Sequence, residues 1–225
     1  MKCRPSVLVR QPLDADILTS AQSVLYAFPR TCVRYGRIKG MALEGRPGAV
    51  VSVSRDDAHR FSKPVVASIR LLAGIGVEGD SHAGPTVQHR YAKKRDPTAP
   101  NLCQVHFMAA ELFDDLVPTG YTVAPGELGE NVTTIGIDLM TLPLGTRLHL
   151  GNEAVVSITG MRSPCSLING YQKGLMKQLI KTDAAGAVQR RGGIMGVVVT
   201  GGIVHPGDRI RVQLPIGEHL PLGVV

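Results

Sequence analysis

The segment AVVSITGMRSPC, residues 154–165, is the part of the sequence that decides the fold. Its first six residues, 154–159, are apolar or β-branched, which predicts a strand. A glycine and a Ser-Pro pair then end that strand. Cys165 is therefore expected on a turn just past the strand, three residues after Arg162. Because a guanidinium beside a thiol favours the thiolate, the segment also predicts a candidate functional cysteine.

Other apolar runs of similar length predict further short strands. The 26 glycines and 15 prolines indicate many turns rather than long helices. Gly151 and Asn152 form a hairpin signal ahead of residue 154. The predicted strands are residues 49–54, 65–72, 139–142, 147–150, 154–159, 192–200 and 209–212, and the loop of residues 123–134 leads into a further short strand.

Two segments carry helical periodicity. Residues 104–117 place apolar side chains at helical spacing and are stopped by Pro118 and Gly120, and residues 174–181 show a shorter pattern. No alternation of strand, helix and strand is evident. The predicted fold class is therefore mainly β (α+β), a barrel-like mixed-β domain with one or two short helices.

Domain organisation follows from a shift in composition near residue 40. Residues 1–40 hold seven of the 25 Lys and Arg residues but only two of the 18 acids, and three prolines interrupt them. A mitochondrial-type presequence is one interpretation, although no clean amphipathic helix is evident. We favour a basic N-terminal extension, with Met41 as a candidate true start and residues 41–225 as one domain.

Composition also restricts the classes of function. Residues 41–225 are close to neutral and lack a basic stripe with interleaved aromatic residues, which argues against nucleic-acid binding. No apolar run reaches the length of a membrane span and no secretory signal is evident. The four cysteines are scattered, with no CxxC pair, so a cytoplasmic protein with reduced thiols is expected.

Local patterns alone leave several interpretations open. Cys165 could be an inert buried thiol, the common state of a single cysteine. Cys103 and His106 have C-x2-H spacing, but no second pair accompanies them, which disfavours zinc. Gly74, Gly76 and Gly79 match a dinucleotide fingerprint without its strand–helix context.

Two glycine-rich loops, residues 74–84 and 126–131, are suited to presenting backbone N–H groups to an anion. The alternative is that their glycines serve only the geometry of tight turns. Residues 85–101 form a polar, basic segment of the kind that is often functional.

Taken in order, these pieces resemble the MOSC domain, the C-terminal domain type of molybdenum cofactor sulfurases that also occurs as stand-alone bacterial proteins. The resemblance covers about residues 48–215 and leaves residues 1–40 outside. Its segments are GVEGDSHAG (76–84), QVH (104–106), PGELGENVTTIGID (125–138), LPLGTRL (142–148), TGMRSPC (159–165), GIMGVV (193–198) and PGD (206–208).

The resemblance implies a β-rich barrel that binds the molybdenum cofactor (molybdopterin) or carries sulfur. Cys165 matches the family cysteine of R-x-P-C, which would ligate molybdenum or hold a persulfide. In the sulfur-carrier case, pyridoxal phosphate would be bound only by a separate cysteine desulfurase. In the case of a reductase of N-hydroxylated compounds, a molybdoenzyme or other electron-donor protein would be needed as a partner. The candidate cofactor-binding residues are Asp80, His82, Arg90, Gly129, Glu130, Asn131 and Arg162.

Arg162, Arg90 and the backbone N–H groups of the glycine-rich loops are suited to binding a phosphate. A thiolate is a soft ligand and is suited to molybdenum. Asn131 offers both a donor and an acceptor to a pterin edge. Asp80 and Glu130 have a second interpretation, in which they hold their own loops in place. A non-catalytic β-barrel binding module remains the alternative from another class.

Overall fold

The computed structural model of the chain describes residues 48–182, 186 and 188–225. The basic segment 1–40 and Met41 lie outside the described residues, so the domain boundary near residue 40 stays a prediction.

Short strands dominate the described part of the chain. The strands are β1 (Gly48–Ser54), β2 (Val65–Val66), β3 (Ile69–Leu72), β4 (Gly76–Val77), β5 (Val105–Ala109), β6 (Val132–Ile135), β7 (Arg147–Leu150), β8 (Ala154–Met161), β9 (Ile180–Thr182), β10 (Val188–Arg190), β11 (Ile194–Thr200), β12 (Gly202–Val204) and β13 (Arg209–Gln213). The helices are α1 (Arg90–Arg95), α2 (Ala110–Leu116), α3 (Leu167–Tyr171) and α4 (Leu175–Gln178), with 3-10 turns at Val117–Thr119 and Leu139–Thr141.

Seven strands close into a barrel in the order β13-β7-β8-β11-β5-β6-β1, with β1 pairing back onto β13. All neighbours are antiparallel except β5 and β6, which run parallel. Alternate residues of β8 (Ala154, Val156 and Ile158) are buried in the barrel core, as the period of a strand requires. The mainly β, barrel-like prediction is confirmed, and closure leaves these seven strands without a free edge.

The helix predicted over residues 104–117 was wrong in its first half. Residues 105–109 form β5, and α2 begins only at Ala110. Val105 and Phe107 belong to the barrel core, while Met108 packs in a second apolar cluster on the other face. The sequence of a strand that is buried on both faces is almost continuously apolar, so its periodicity cannot distinguish it from a buried helix. Because α2 connects the parallel pair β5 and β6, the expected absence of a strand–helix–strand unit was also wrong.

Three smaller differences concern other segments. The strand predicted over residues 139–142 is a 3-10 turn, because the Asp138 carboxylate accepts the Met140 N–H and caps it. The run over residues 65–72 divides into β2 and β3, and the polar segment 85–101 contains α1. The described residues thus include four short helices rather than one or two. None of these helices has the length and apolar character needed to cross a membrane.

A second apolar cluster lies outside the barrel core. Helices α2, α3 and α4 bury their apolar side chains there, together with Leu128 from the loop before β6. Met108 joins this cluster from β5, so one face of β5 lines the barrel and the other meets the helical layer. The Arg162 side chain meets this layer at the Leu128 carbonyl.

Candidate functional site

The turn that carries Cys165 is fixed by two glycines that directly precede the neighbouring strand β11. The Arg162 N–H donates to the Gly193 carbonyl at 3.0 Å, directly after β8 ends. A side chain on Gly192 would come within 2.7 Å of the Arg162 carbonyl oxygen, and Gly193 has a φ of 84°. Glycine is required at both positions for this close approach. The prediction that Cys165 lies on a turn past the strand is confirmed, and we call residues 162–165 the thiol turn.

The segment near residue 224 holds the start of this turn from the other side. The Met161 N–H donates to the Gly223 carbonyl at 2.7 Å, and the Val225 N–H donates to the Met161 carbonyl at 3.2 Å. Leu222 is buried in the barrel core. Backbone bonds on both sides therefore fix the direction in which the thiol turn leaves β8.

Arg162 supplies the positive charge of the candidate site. Its Nη1 donates to the Leu128 carbonyl at 2.6 Å, and its Cζ lies 6.0 Å from the centre of the Phe61 ring. Burial lowers the pKa of the guanidinium, and negative charge on Cys165, Glu130 and Cys103 acts in the opposite direction. No carboxylate among the described residues comes within ion-pair distance of Arg162. An arginine so placed is a cation available to an anionic ligand.

Cys103 is a neighbour of Arg162 that the sequence did not identify. Its backbone N–H donates to Asn101 Oδ1 at 3.0 Å, which places its partly buried thiol just ahead of β5. Burial raises the pKa of this thiol, and the charge of Arg162 opposes that rise. Since β11 lies between β5 and β8 in the barrel, the sheet order brings Cys103 into electrostatic range of Arg162. Spacing along the chain carries no signal for that proximity.

Asp80 is the centre of a buried polar network. Lys63 Nζ lies 2.8 Å from its Oδ2, which also accepts a hydrogen bond from Asn131 Nδ2 at 2.9 Å. The His82 backbone N–H donates to Oδ1 at 2.9 Å, and the His82 Nδ1 lies 3.2 Å from the same atom. Burial acts to raise the pKa of Asp80, but His82 and Lys63 outweigh it and hold that pKa well below its usual range. We call Lys63, Asp80, His82 and Asn131 the Asp80 network.

Asn131 uses both ends of its amide on the protein itself. Its Nδ2 also donates to the Ser54 carbonyl at 3.1 Å, and its Oδ1 accepts the His106 N–H at 3.2 Å. The side chain thus links β1, β5 and the loop that carries Asp80. Lys63 and His106 are further residues that the sequence did not assign to this network.

His106 is a neutral, buried imidazole. Its Nε2 lies 2.8 Å from the Gly192 carbonyl oxygen. Burial lowers the pKa of His106 well below its usual range, and the charges of Arg162 and Lys63 act in the same direction. A neutral ring that donates from Nε2 to a carbonyl supports the backbone beside the thiol turn.

The loop of residues 126–131 closes around its own carboxylate. Glu130 Oε1 accepts the Gly126 N–H at 2.6 Å and the Thr133 hydroxyl at 3.0 Å, while Oε2 has no donor among the described residues. Burial raises the pKa of Glu130. Gly129 has a φ of 82°, a side chain there would meet the Phe61 carbonyl oxygen at 2.5 Å, and its N–H donates to the Gly126 carbonyl.

The remaining candidates belong to the segment 82–90. His82 stacks edge to face on His59 with ring centres 5.2 Å apart. Burial lowers the pKa of His89, and positive charge on His82, Arg162 and His59 lowers it further. Arg90 begins α1, but its side chain lies outside what the structure describes. The structure therefore relates His89 to Arg162 and to His82, and leaves the Arg90 assignment a prediction.

A site for a bare metal ion is not formed by the residues that the structure describes. Among them, no three His, Cys, Asp or Glu side chains are grouped as ligands for an ion. The Cys103–His106 pair, considered above as a zinc site, is therefore not part of such a group among the described residues. Any metal held here would need most of its ligands from another molecule.

The fold and the thiol turn define a β-barrel domain of the MOSC type, and comparison with known proteins agrees. The MOSC domain model matches residues 88–211, more than half of the chain, so the chain belongs to the MOSC domain family. No curated protein matches the chain in sequence.

Solved structures share the fold. The YuaD protein from Bacillus subtilis is 24% identical with a TM-score of 0.60, covering 75% of this chain and 97% of its own. YiiM from Geobacillus stearothermophilus is 17% identical with a TM-score of 0.53, covering 78% of this chain and 80% of its own. YiiM from Escherichia coli is 18% identical with a TM-score of 0.50, covering 77% of this chain and 72% of its own. At these identities the likeness establishes the fold alone.

The family is generally associated with the molybdenum cofactor, and the donor set of this chain fits that group. The pterin carries its own sulfur ligands for the metal, so the protein need supply only a few. A partly buried Cys165 offers one soft sulfur donor, and Arg162 offers a cation without a carboxylate partner among the described residues for the phosphate. The absence of a three-residue metal cluster among the described residues is compatible with such a group.

Proposed function

We propose that this MOSC protein binds the molybdenum cofactor through the thiol turn. It would act as a carrier of the cofactor or as the cofactor-binding part of a reductase of N-hydroxylated compounds. The observation that carries the proposal is that the Cys165 thiol lies within electrostatic range of the Arg162 guanidinium. One is a partly buried thiol and the other a guanidinium with no carboxylate at ion-pair distance among the described residues.

Each residue has a distinct part in this proposal. Cys165 supplies the thiolate to molybdenum, and Arg162 binds the phosphate by charge-assisted hydrogen bonds. His89 lies in electrostatic range of Arg162 and of His82, so it would add one polar group near the guanidinium. Asp80, Glu130 and Asn131 act as positioning residues, because their hydrogen bonds are made within the protein. When bound, the cofactor supplies two-electron redox chemistry at molybdenum, and a separate protein supplies the electrons.

The direct test is molybdenum and pterin analysis of protein purified from a host that makes the cofactor. We expect both to copurify with the wild type and molybdenum to be lost from Cys165→Ala. Arg162→Ala should lose pterin together with metal. Cys103→Ala is the matched control, since it removes a second partly buried thiol beside the same arginine. Retention of metal and pterin by Cys165→Ala at wild-type stoichiometry would overturn the assignment of Cys165 as ligand.

A second candidate function is sulfur transfer, favoured by the partial exposure of Cys165. The Cys165 thiolate would attack the terminal sulfur of a persulfide on a pyridoxal-phosphate cysteine desulfurase. The Cys165 persulfide forms as the donor cysteine leaves as a thiolate, so no external oxidant is needed. Incubation with a desulfurase and cysteine should add the mass of one sulfur to Cys165. If both experiments are negative, the remaining function is that of a non-catalytic binding module.

A further inference from the structure

Arg162 joins two backbone segments of the candidate site. Its backbone N–H donates to the carbonyl of Gly193, directly before β11, and its Nη1 donates to the carbonyl of Leu128, in the loop before β6. The strands β11 and β6 lie on opposite sides of β5 in the barrel. His106 belongs to β5, so it lies between the two segments that Arg162 connects.

The His106 ring meets the same two segments, one residue away in each. Its Nε2 lies 2.8 Å from the Gly192 carbonyl oxygen, and the backbone of Gly129 acts on the ring as a second hydrogen-bond acceptor. A neutral imidazole has only one N–H, whereas an imidazolium has two. The neutral ring can therefore donate to one of the two carbonyls, and the charged ring can donate to both.

Burial and two cations keep the ring neutral. Burial lowers the pKa of His106 well below its usual range, the charges of Arg162 and Lys63 lower it further, and the two carbonyl groups act in the opposite direction. The strands β5, β6 and β11 bring no Asp, Glu, Lys or Arg to the ring. The titratable groups that act on the two cations are Glu130, Asp80, Cys103 and Cys165.

An anion at the guanidinium would offset the largest of these charge effects. Of the two cations, Arg162 lowers the pKa of His106 more than Lys63 does. Negative charge placed beside the guanidinium favours the charged form of a nearby base. Because the coupling between two binding events is reciprocal, a proton on the ring strengthens anion binding by the same factor.

We infer that an anion bound at Arg162 is accompanied by uptake of one proton on the His106 ring, which then has an N–H for each of the Gly192 and Gly129 carbonyls. The proton comes from solvent, and no covalent bond to the anion is formed. The proton uptake rests on the proposed function in one respect, since the anion is the phosphate that Arg162 would bind. His106 is thus a positioning residue that makes the site hold an anionic ligand more tightly as the pH falls.

The ring nitrogen spectrum of full-length protein with isotopically labelled histidine, with sulfate as the probe, provides the test. Sulfate keeps the same charge between about pH 5 and pH 8, the range in which histidine ordinarily titrates. In the free protein we expect the His106 ring to stay neutral down to about pH 5. Saturating sulfate should raise the charged fraction of the ring at that pH by at least about tenfold.

Arg162→Gln tests the ring with no ligand present. It keeps an N–H donor for the Leu128 carbonyl and removes the charge, so His106 should titrate at higher pH than in the wild type. His106→Gln keeps an N–H donor for the Gly192 carbonyl but cannot take up a proton. Its gain in sulfate affinity between about pH 8 and pH 5 should be at least about threefold smaller than that of the wild type. His205→Gln is the matched control, since it removes an exposed histidine beside Asp208 and should leave that gain unchanged.

Two outcomes would overturn the proton uptake. One is a His106 ring that stays neutral at about pH 5 both in saturating sulfate and in Arg162→Gln. The other is a gain in sulfate affinity at low pH that is as large in His106→Gln as in the wild type. Failure of sulfate to bind at any pH would contradict the anion site of the proposed function, and the Arg162→Gln spectrum would then decide on the ring. If His106→Gln fails to fold, the spectra of the wild type and Arg162→Gln still decide.

Discussion

The Asp80 network and the thiol turn lie in the same domain but use their polar groups in opposite ways. In the network, Lys63, Asp80 and Asn131 bond to one another and to the backbone. In the thiol turn, Arg162 has one carbonyl as its hydrogen-bond acceptor, no carboxylate partner among the described residues, and two partly buried thiols within electrostatic range. The polar groups of the Asp80 network therefore hold the site in place, whereas the groups of the thiol turn are available to a ligand.

Asp80→Asn should have the largest effect on stability. The substitution leaves the Lys63 ammonium buried without its counter-charge, and loss of one partner of a buried ion pair costs about 3–5 kcal/mol. Urea unfolding measures the change in the free energy of unfolding.

The double variant Lys63→Met with Asp80→Asn is the control for this prediction. It removes the unpaired charge, so it should be more stable than Asp80→Asn alone. If the double variant were as unstable as the single one, the ion pair would not be the source of the loss.

Gly193→Ala tests how much the backbone that holds the thiol turn contributes to the stability of the fold. Gly193 combines a φ of 84° with a carbonyl oxygen of Phe107 only 2.2 Å from an added Cβ, and its own carbonyl accepts the Arg162 N–H. We expect a loss of about 2–3 kcal/mol in urea unfolding, because both strain and a steric clash oppose the alanine.

Gly207→Ala is the matched control, since Gly207 has a φ of 91° with nothing within 4 Å of an added Cβ. It should cost about 1 kcal/mol, the effect of backbone strain alone. Equal losses in the two variants would mean that the contact with Phe107 contributes nothing.

The barrel and the thiol turn were predictable because each depends on local sequence. The β-branched run and the Ser-Pro pair that follows it predict a strand and then a turn at Cys165. The strand β8 (Ala154–Met161) ends before the Ser-Pro pair, two residues past the predicted end at residue 159. The strand β5 was missed because both of its faces are buried, one in the barrel and one under the helices.

The remaining site residues depend on contacts that are distant along the chain. Lys63 meets Asp80 across 17 positions, and His106 meets Gly192 across 86. Sheet order, which no local pattern encodes, brings Cys103 into range of Arg162. The sequence did suggest that Asp80 and Glu130 hold their own loops, and the structure places both carboxylates against backbone N–H groups.

Acid should lower the stability of the fold in two ranges, first through the buried histidines and at lower pH through the carboxylates. The Arg60 guanidinium, against burial, lowers the pKa of Asp56 to about 2, and the pKa of Asp80 is lowered as well. A carboxyl group with a lowered pKa stabilises the fold above its unfolded pKa and loses that contribution as pH falls through the folded value. Below about pH 6.5 the unfolded chain binds more protons than the fold does, because the pKa values of His106 and His89 are lowered in the fold. The free energy of unfolding should therefore begin to fall below about pH 6.5 and fall further between about pH 4 and pH 2.

Asp56→Asn isolates one part of that pH dependence. It should cost about 1 kcal/mol at pH 7, since the Arg60 side chain is largely exposed and solvent screens the pair. The cost should shrink as pH approaches 2, where the wild-type carboxyl is about half protonated, and vanish below that pH. A cost that persists unchanged at pH 2 would assign the effect to packing rather than to charge.

Cys165→Ser should have the smallest effect on stability and completes the comparison. The thiol is partly buried, and the backbone of its turn is held by Gly193 and by Gly223 rather than by the side chain. Replacement of sulfur by oxygen should change the free energy of unfolding by less than about 0.5 kcal/mol, as expected for a position outside the packed core. A loss comparable to that of Asp80→Asn would mean that the cysteine is part of the supporting structure. A stable Cys165→Ser protein that no longer retains molybdenum would instead separate ligand binding from stability at a single sulfur atom.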